Sequence, residues 1–178
     1  MEVQLKIDNA MLADYLRYLF PPSAGGALKV TSEHGLGKLI IAHCREMSRP
    51  PEPGSGDNIV TLQLPLCRAT QSLENKFLYY SSADMVQLNQ ALAAYFDLDF
   101  TGYYRRGQGA KFSKADIIQA FIVSRRLVSD DYFDALSKRM YRRQREEIAA
   151  ITRKLRRRAY YLDEVLDTSG LEKNSKKP

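Results

Sequence analysis

Cysteine is scarce in this chain, with 2 among 178 residues. That excludes a disulfide scaffold and makes a reducing cytoplasm the expected compartment. Histidine is as rare, also 2, which leaves little material for a metal or His-based catalytic centre. Glycine (10) and proline (7) are too few for collagen-like or low-complexity sequence. No apolar run approaches the ~20 residues that span a bilayer, and the opening residues lack the basic-then-apolar layout of a secretory signal. No membrane partner is expected. What is present is ordinary: 44% hydrophobic and 27% charged residues, enough for one compact domain or two small ones sharing a core.

The charge is unevenly spread. The chain carries a net +6, yet residues 1–66 hold a net −1. Lys138 to Arg158 contains 10 basic residues against Glu146 and Glu147, a net +8 over 21 residues. A field this concentrated attracts polyanions, and nucleic acid is the commonest of them.

Periodicity predicts an α+β fold. Val3, Leu5 and Ile7 alternate as a strand, Asp8 or Asn9 offers an N-cap, and Leu12, Tyr15, Leu16 and Leu19 follow at helical spacing until Pro21-Pro22. Leu28 and Val30 read as a second strand, and Leu36, Leu39, Ile40, His43 and Met47 as a second helix. After a Pro/Gly loop over 48–58, Val60, Leu62, Leu64 and Leu66 read as a third strand. This gives a small three-stranded β-α-β-α-β layer, followed by a helical C-terminal half with a long basic helix.

The helical half is read from residue 72. Ser81 with Asp84, and Ser113 with Asp116, have capping-box spacing. Gly102, Gly107 and Gly109 predict a flexible loop holding Tyr103, Tyr104, Arg105 and Arg106. Ser129 is the expected cap of the next helix, with Asp130 and Asp131 in its first turn. Ile148, Ile151, Leu155, Leu162 and Val165 form a heptad-like seam out of phase with Phe133, Leu136 and Met140, so a bend or change of packing is expected near Gln144. The expected divisions are 1–66 (α/β layer), 67–112 (connecting helical segment with the Gly/Tyr/Arg loop), 113–167 (helical pair and basic helix) and 168–178 (flexible tail).

Catalytic patterns fail on inspection. Gly35-Leu36-Gly37-Lys38 opens a helix after a strand, but Ser32 and Leu39 stand where a phosphate loop needs Gly and Ser/Thr. His34, His43, Cys44 and Cys67 lack metal-ligand spacing. Glu74-x-Lys76 with Asp57 matches a nuclease pattern only superficially, and the tyrosine doublets at 79–80, 103–104 and 160–161 read as amphipathic packing. No enzyme activity, metal or cofactor is expected.

The binding pattern is stronger. Residues 113–143 have the length of a helix-turn-helix, although Asp130, Asp131 and Asp134 at the start of the second helix repel phosphate. The expected contacts therefore fall later, on Lys138, Arg139, Arg142, Arg143, Arg153, Lys154, Arg156, Arg157 and Arg158, with Arg105 and Arg106 reaching from their loop. The expected function is non-catalytic binding of nucleic acid, duplex DNA foremost. The alternative is an assembly or adaptor subunit, with a protein partner or a second copy docking on the C-terminal helix.

Overall fold

A computed structural model describes the backbone of residues 1–50, 56, 58–129 and 131–174, and side chains among these as far as residue 158. The fold class is α+β, with small sheets in the N-terminal part and a helical C-terminal half. The chain divides into two units, Met1–Phe133 and Asp134–Pro178. The expected boundaries at 66 and 112 both fall inside the first unit.

The first unit opens with β1 (Glu2–Lys6), α1 (Ala10–Leu19), β2 (Leu28–Lys29) and α2 (Gly35–Ala42). It continues through β3 (Arg45–Met47), β4 (Ile59–Gln63), β5 (Phe77–Tyr79), α3 (Ser82–Gly109) and α4 (Lys114–Ser124). The three strands expected within 2–66 form one sheet in the order β1-β4-β2. β1 and β4 are antiparallel, from Glu2 opposite Gln63 to Lys6 opposite Ile59, and β2 runs parallel to β4. Alternation does what it should: Val3, Leu5, Val60 and Leu62 are buried while Glu2, Gln4 and Lys6 are exposed. Asn9 is the cap of α1, its Oδ1 accepting from the Leu12 N–H at 2.9 Å. Leu66 lies beyond β4 and is exposed.

Three expectations needed correction. First, α2 stops at Ala42, and Met47 belongs to β3, which pairs with β5 in a second, two-stranded antiparallel sheet. Residues 71–79 are accordingly a 3₁₀ turn (Gln71–Leu73) and a strand rather than the start of a helical half. Second, α3 runs unbroken through Gly102 and Gly107 to Gly109, so the Gly/Tyr/Arg loop does not exist. Each helical glycine costs about 1 kcal/mol against alanine. Leu92, Phe96, Phe100 and Tyr104, spaced four apart and all buried, outweigh that cost. Gly107 is also where α4 comes close, because a Cβ there would stand 2.6 Å from Ile117 Cγ1. Third, the last helix, α5 (Tyr132–Asn174), begins after Asp131, and the acid in its first turn is Asp134. Ser129 Oγ accepts from the Asp131 N–H at 3.4 Å, and Asp130 lies outside the described residues.

Residues 67–112 are inseparable from 1–66. Asn89 on α3 donates through Nδ2 to the carbonyl of Lys6 at 2.9 Å, and its Oδ1 accepts from the Asp8 N–H at 3.0 Å. A buried amide satisfied this way fixes the end of β1 against α3. The core where α1, α3 and α4 meet is aromatic: Phe96 lies edge-on to Tyr15 at 5.0 Å and to Phe121 at 5.8 Å. Arg125, at the end of α4, closes it. Its Nε and Nη2 bond both Asp99 oxygens at 2.7 and 2.9 Å, and its guanidinium lies 4.9 Å from the Tyr18 ring centre. Of the two capping-box spacings, Ser81 with Asp84 forms the reciprocal box, and Ser113 caps α4 by accepting from the Asp116 N–H.

Candidate nucleic-acid interface

The second unit is the body of α5. Between Asp134 and Arg158 its sequence has neither glycine nor proline and is rich in Ala, Leu, Met, Arg, Lys, Gln and Glu, all good helix formers. Among the described side chains, buried positions on the helix stop at Met140, and from Tyr141 to Arg158 every residue but Gln144 is exposed. The change expected near Gln144 is thus one of surroundings, and the helix itself runs through without interruption. Residues 168–174, expected in a tail, continue the same helix, while 175–178 lie outside the described residues.

At ~100° per residue the basic side chains sort into sectors. Lys138, Arg139, Arg142, Arg145, Arg153, Arg156 and Arg157 fall within about 120° of one another, with Glu146 as the acid among them. Arg143, Lys154 and Arg158 lie on the adjoining flank. There Arg143 Nε pairs with Glu147 Oε1 at 3.6 Å, both half exposed, and such a pair contributes little. Arg145 belongs to the main sector although the charge run did not single it out. Its signal is positional, three residues after Arg142 and eight before Arg153. From Lys138 to Arg158 the face is about 30 Å long.

Arg105 and Arg106 are elsewhere. Both lie on α3 in the first unit, so they do not reach out on a loop as expected. Arg106 instead borders a groove of about 500 Å³ between α3 and α4, with Tyr103, Phe112 and Ile117.

The remaining chemical candidates have structural roles. His34 Nδ1 accepts from the Leu36 N–H at 3.2 Å and so occupies the start of α2. Gly35 and Gly37 serve close packing: a Cβ at Gly37 would collide with the Thr31 carbonyl oxygen, and one at Gly35 with the Tyr95 hydroxyl. Lys76 pairs with Glu46 across β3 and β5 at 2.5 Å, and Asp57 lies outside the described residues. Burial pushes the Cys44 thiol up to about 11, away from a reactive thiolate. The Tyr80 hydroxyl donates to the Ile40 carbonyl at 3.2 Å, and Tyr104 is buried in the core. The side chains of Tyr160 and Tyr161 lie outside the described residues. Among the described residues no group of three or more His, Cys, Asp or Glu is placed to hold a metal ion.

One ionic cluster does join distant parts of the first unit. Asp84, buried at the start of α3, accepts from Arg45 Nε at 2.6 Å, from Ser81 Oγ at 2.5 Å and from His43 Nδ1–H at 2.9 Å. Arg45 first, then Ser81 and His43, hold its carboxyl well below the usual carboxylate range. A depressed folded-state value stabilises the fold at pH above the unfolded aspartate value of ~3.9, and that contribution is lost as pH falls below it. Thermal melts of the unmodified protein should therefore drop progressively below pH ~4. Asp84→Asn should melt lower at pH 7 and show a flatter decline between pH ~4 and ~2. Equal pH slopes for the two proteins would remove Asp84 from this role.

Among the described residues no helix is long and apolar enough to cross a membrane. Comparison with protein-family models, curated proteins and solved structures finds no match.

Proposed function

We propose that this chain binds nucleic acid without catalysis, duplex DNA foremost, by laying the basic sector of α5 along the phosphates. The observation that carries the reading is the uncovered face itself: Arg142, Arg145, Arg153, Arg156 and Arg157 all exposed on one side of a continuous helix. A helix of this kind fits a major groove about 12 Å wide. Duplex is favoured over single strands because, among the described side chains, the sector lacks the aromatic platforms on which unpaired bases stack. Contact begins beyond the first turn, since Asp131 and Asp134 are exposed there and repel phosphate. Such contacts position the protein on the backbone and give weak sequence preference. A reducing cytoplasm suits the two free thiols, Cys44 and Cys67.

Salt tests this directly. Fluorescence anisotropy on a labelled duplex of ~20 base pairs, from ~50 to ~300 mM salt, should give a linear fall of log affinity against log salt. The slope should be about −0.9 for each phosphate neutralised. An absence of binding at ~50 mM, where electrostatic attraction is strongest, would reject the proposal.

A further inference from the structure

The groove between α3 and α4 is concave and mostly apolar, and its volume of about 500 Å³ falls in the range of small-molecule sites. Buried Ile117 lies at its base, and the small side chains of Ala110 and Ala120 leave the space open. Both aromatic walls are held in place. The Tyr103 ring stands edge-on to Phe121 at 5.5 Å, with the Arg125 guanidinium 5.5 Å from its centre. Phe112 is set by the turn that ends α3. Its N–H donates to the Gly107 carbonyl at 3.1 Å, and the Lys111 N–H donates to the Gln108 carbonyl at 3.0 Å, with Lys111 at φ 63°. In such a turn the residue after the left-handed position packs back on the helix three residues before the cap, which here is Gly107. With no side chain to meet there, the Phe112 ring stays 64% exposed at the edge of the groove.

Arg106 brings a cation to this apolar surface. Its Nη1 passes over Gly102, where a Cβ would stand 3.5 Å away. Among the described residues the Arg106 side chain has no hydrogen bond or ion pair, although Asp116 lines the same groove. Asp116 is committed to the cap of α4, its Oδ2 accepting from Ser113 Oγ at 2.5 Å. Asp99, an acid whose charge Arg106 also feels, is held at both oxygens by Arg125. Residues 103–120, which build the groove, carry Arg105, Arg106, Lys111 and Lys114 against Asp116, a net +3. The local field therefore favours an anion.

We propose that this groove binds a small monocarboxylic acid with an apolar body, the body lying between Tyr103 and Phe112 over Ile117 and the carboxylate on the Arg106 guanidinium. Burial of apolar surface supplies attraction without direction. The planar fork of arginine supplies the direction, because it matches a carboxylate with two parallel hydrogen bonds. An apolar cation meets a net +3, and a neutral molecule of the same shape leaves Arg106 without a partner. A nucleic-acid backbone has the charge but no apolar body to fill the groove, so this site is independent of the basic sector of α5. Alkyl and aryl acids share the required chemistry, and direct binding of one of each separates them.

The test uses the full chain without nucleic acid, so its outcome is independent of DNA binding. Calorimetric titration near neutral pH with decanoate, and separately with 4-phenylbutyrate, should show at least one of them bound at a single site with Kd on the order of 100 µM. The amine of the same skeleton should bind ~10-fold more weakly or not at all. Arg106→Ala should weaken the acid ~10-fold or more, the loss of a charge-assisted contact. Arg153→Ala removes an equally exposed arginine from α5 and should leave Kd unchanged, which separates the groove from adsorption on the basic helix. Ala120→Phe fills the groove from an exposed position and should abolish binding while circular dichroism shows the fold kept. Neither acid bound at ~1 mM, an amine bound as well as its acid, equal effects of Arg106→Ala and Arg153→Ala, or a folded Ala120→Phe variant with unchanged Kd would each overturn the proposal.

Discussion

Replacing Arg142, Arg145, Arg153 and Arg156 together with alanine should lower affinity for duplex DNA by as much as ~10³-fold at ~0.1 M salt and flatten the salt slope by up to about four units. The size follows from counterion release. Each phosphate contact contributes about −0.9 to the slope, which at ~0.1 M is a little under tenfold in affinity, and four contacts compound. These four side chains are exposed and lie in one sector, so their loss removes field without opening a core. Alanine keeps the helix. The control, compared per charge removed, is Lys6, Lys29 and Lys38 to alanine. All three are exposed, but they lie in the segment 1–66, whose net charge is −1. Anisotropy titrations of both variants at three salt concentrations distinguish a localised contact from a general effect of net charge. Equal losses from the two sets would place the attraction in total charge rather than in α5.

Much of this arrangement is legible in the sequence, and the exceptions have physical causes. Strict alternation at Val3–Leu5–Ile7 and Val60–Leu62–Leu64 marks two strands because a half-buried sheet needs it. β3 escapes this logic. Arg45, Glu46 and Met47 show no alternation, since all three are exposed or half-buried; their pairing with β5 is held by the backbone ladder, with Glu46 paired to Lys76 beside β5 and Arg45 to Asp84 on α3. The glycines of α3 mislead for a related reason. Local propensity places a break at Gly102–Gly109, but the four-residue spacing of Phe96, Phe100 and Tyr104 continues across it, and burial of that row decides the outcome. The correct signal lay in the period rather than in the glycines. For the basic helix the charge run marks a segment but not its faces. Only projection onto a continuous helix separates Arg142, Arg145, Arg153 and Arg156 from Arg143 and Arg158.

Phe121→Ala should destabilise the first unit by about 3–5 kcal/mol, the cost of emptying a packed aromatic site. Phe121 is fully buried, with its ring centre 4.9 Å from Phe100, 5.8 Å from Phe96 and 5.5 Å from Tyr103. The Arg125 guanidinium lies 5.4 Å from the same ring, so truncation also removes one of the aromatic surfaces around the charge that closes the cluster. Three rings of α3 and the guanidinium at the end of α4 converge there, which leaves the site little freedom to collapse. Against a total stability of ~5–15 kcal/mol for a domain, this is about a fifth or more of what holds the unit folded, and a fall in Tm of roughly 10–20 °C is expected. Phe121→Leu keeps most of the volume and should lose much less. Val123, two residues on and 67% exposed, provides the contrast: Val123→Ala should stay within about 0.5 kcal/mol. Urea unfolding followed by circular dichroism gives all three values on one scale. A loss below about 1 kcal/mol for Phe121→Ala would mean that the site refills, and the junction of α3 and α4 would then not be the centre of the core.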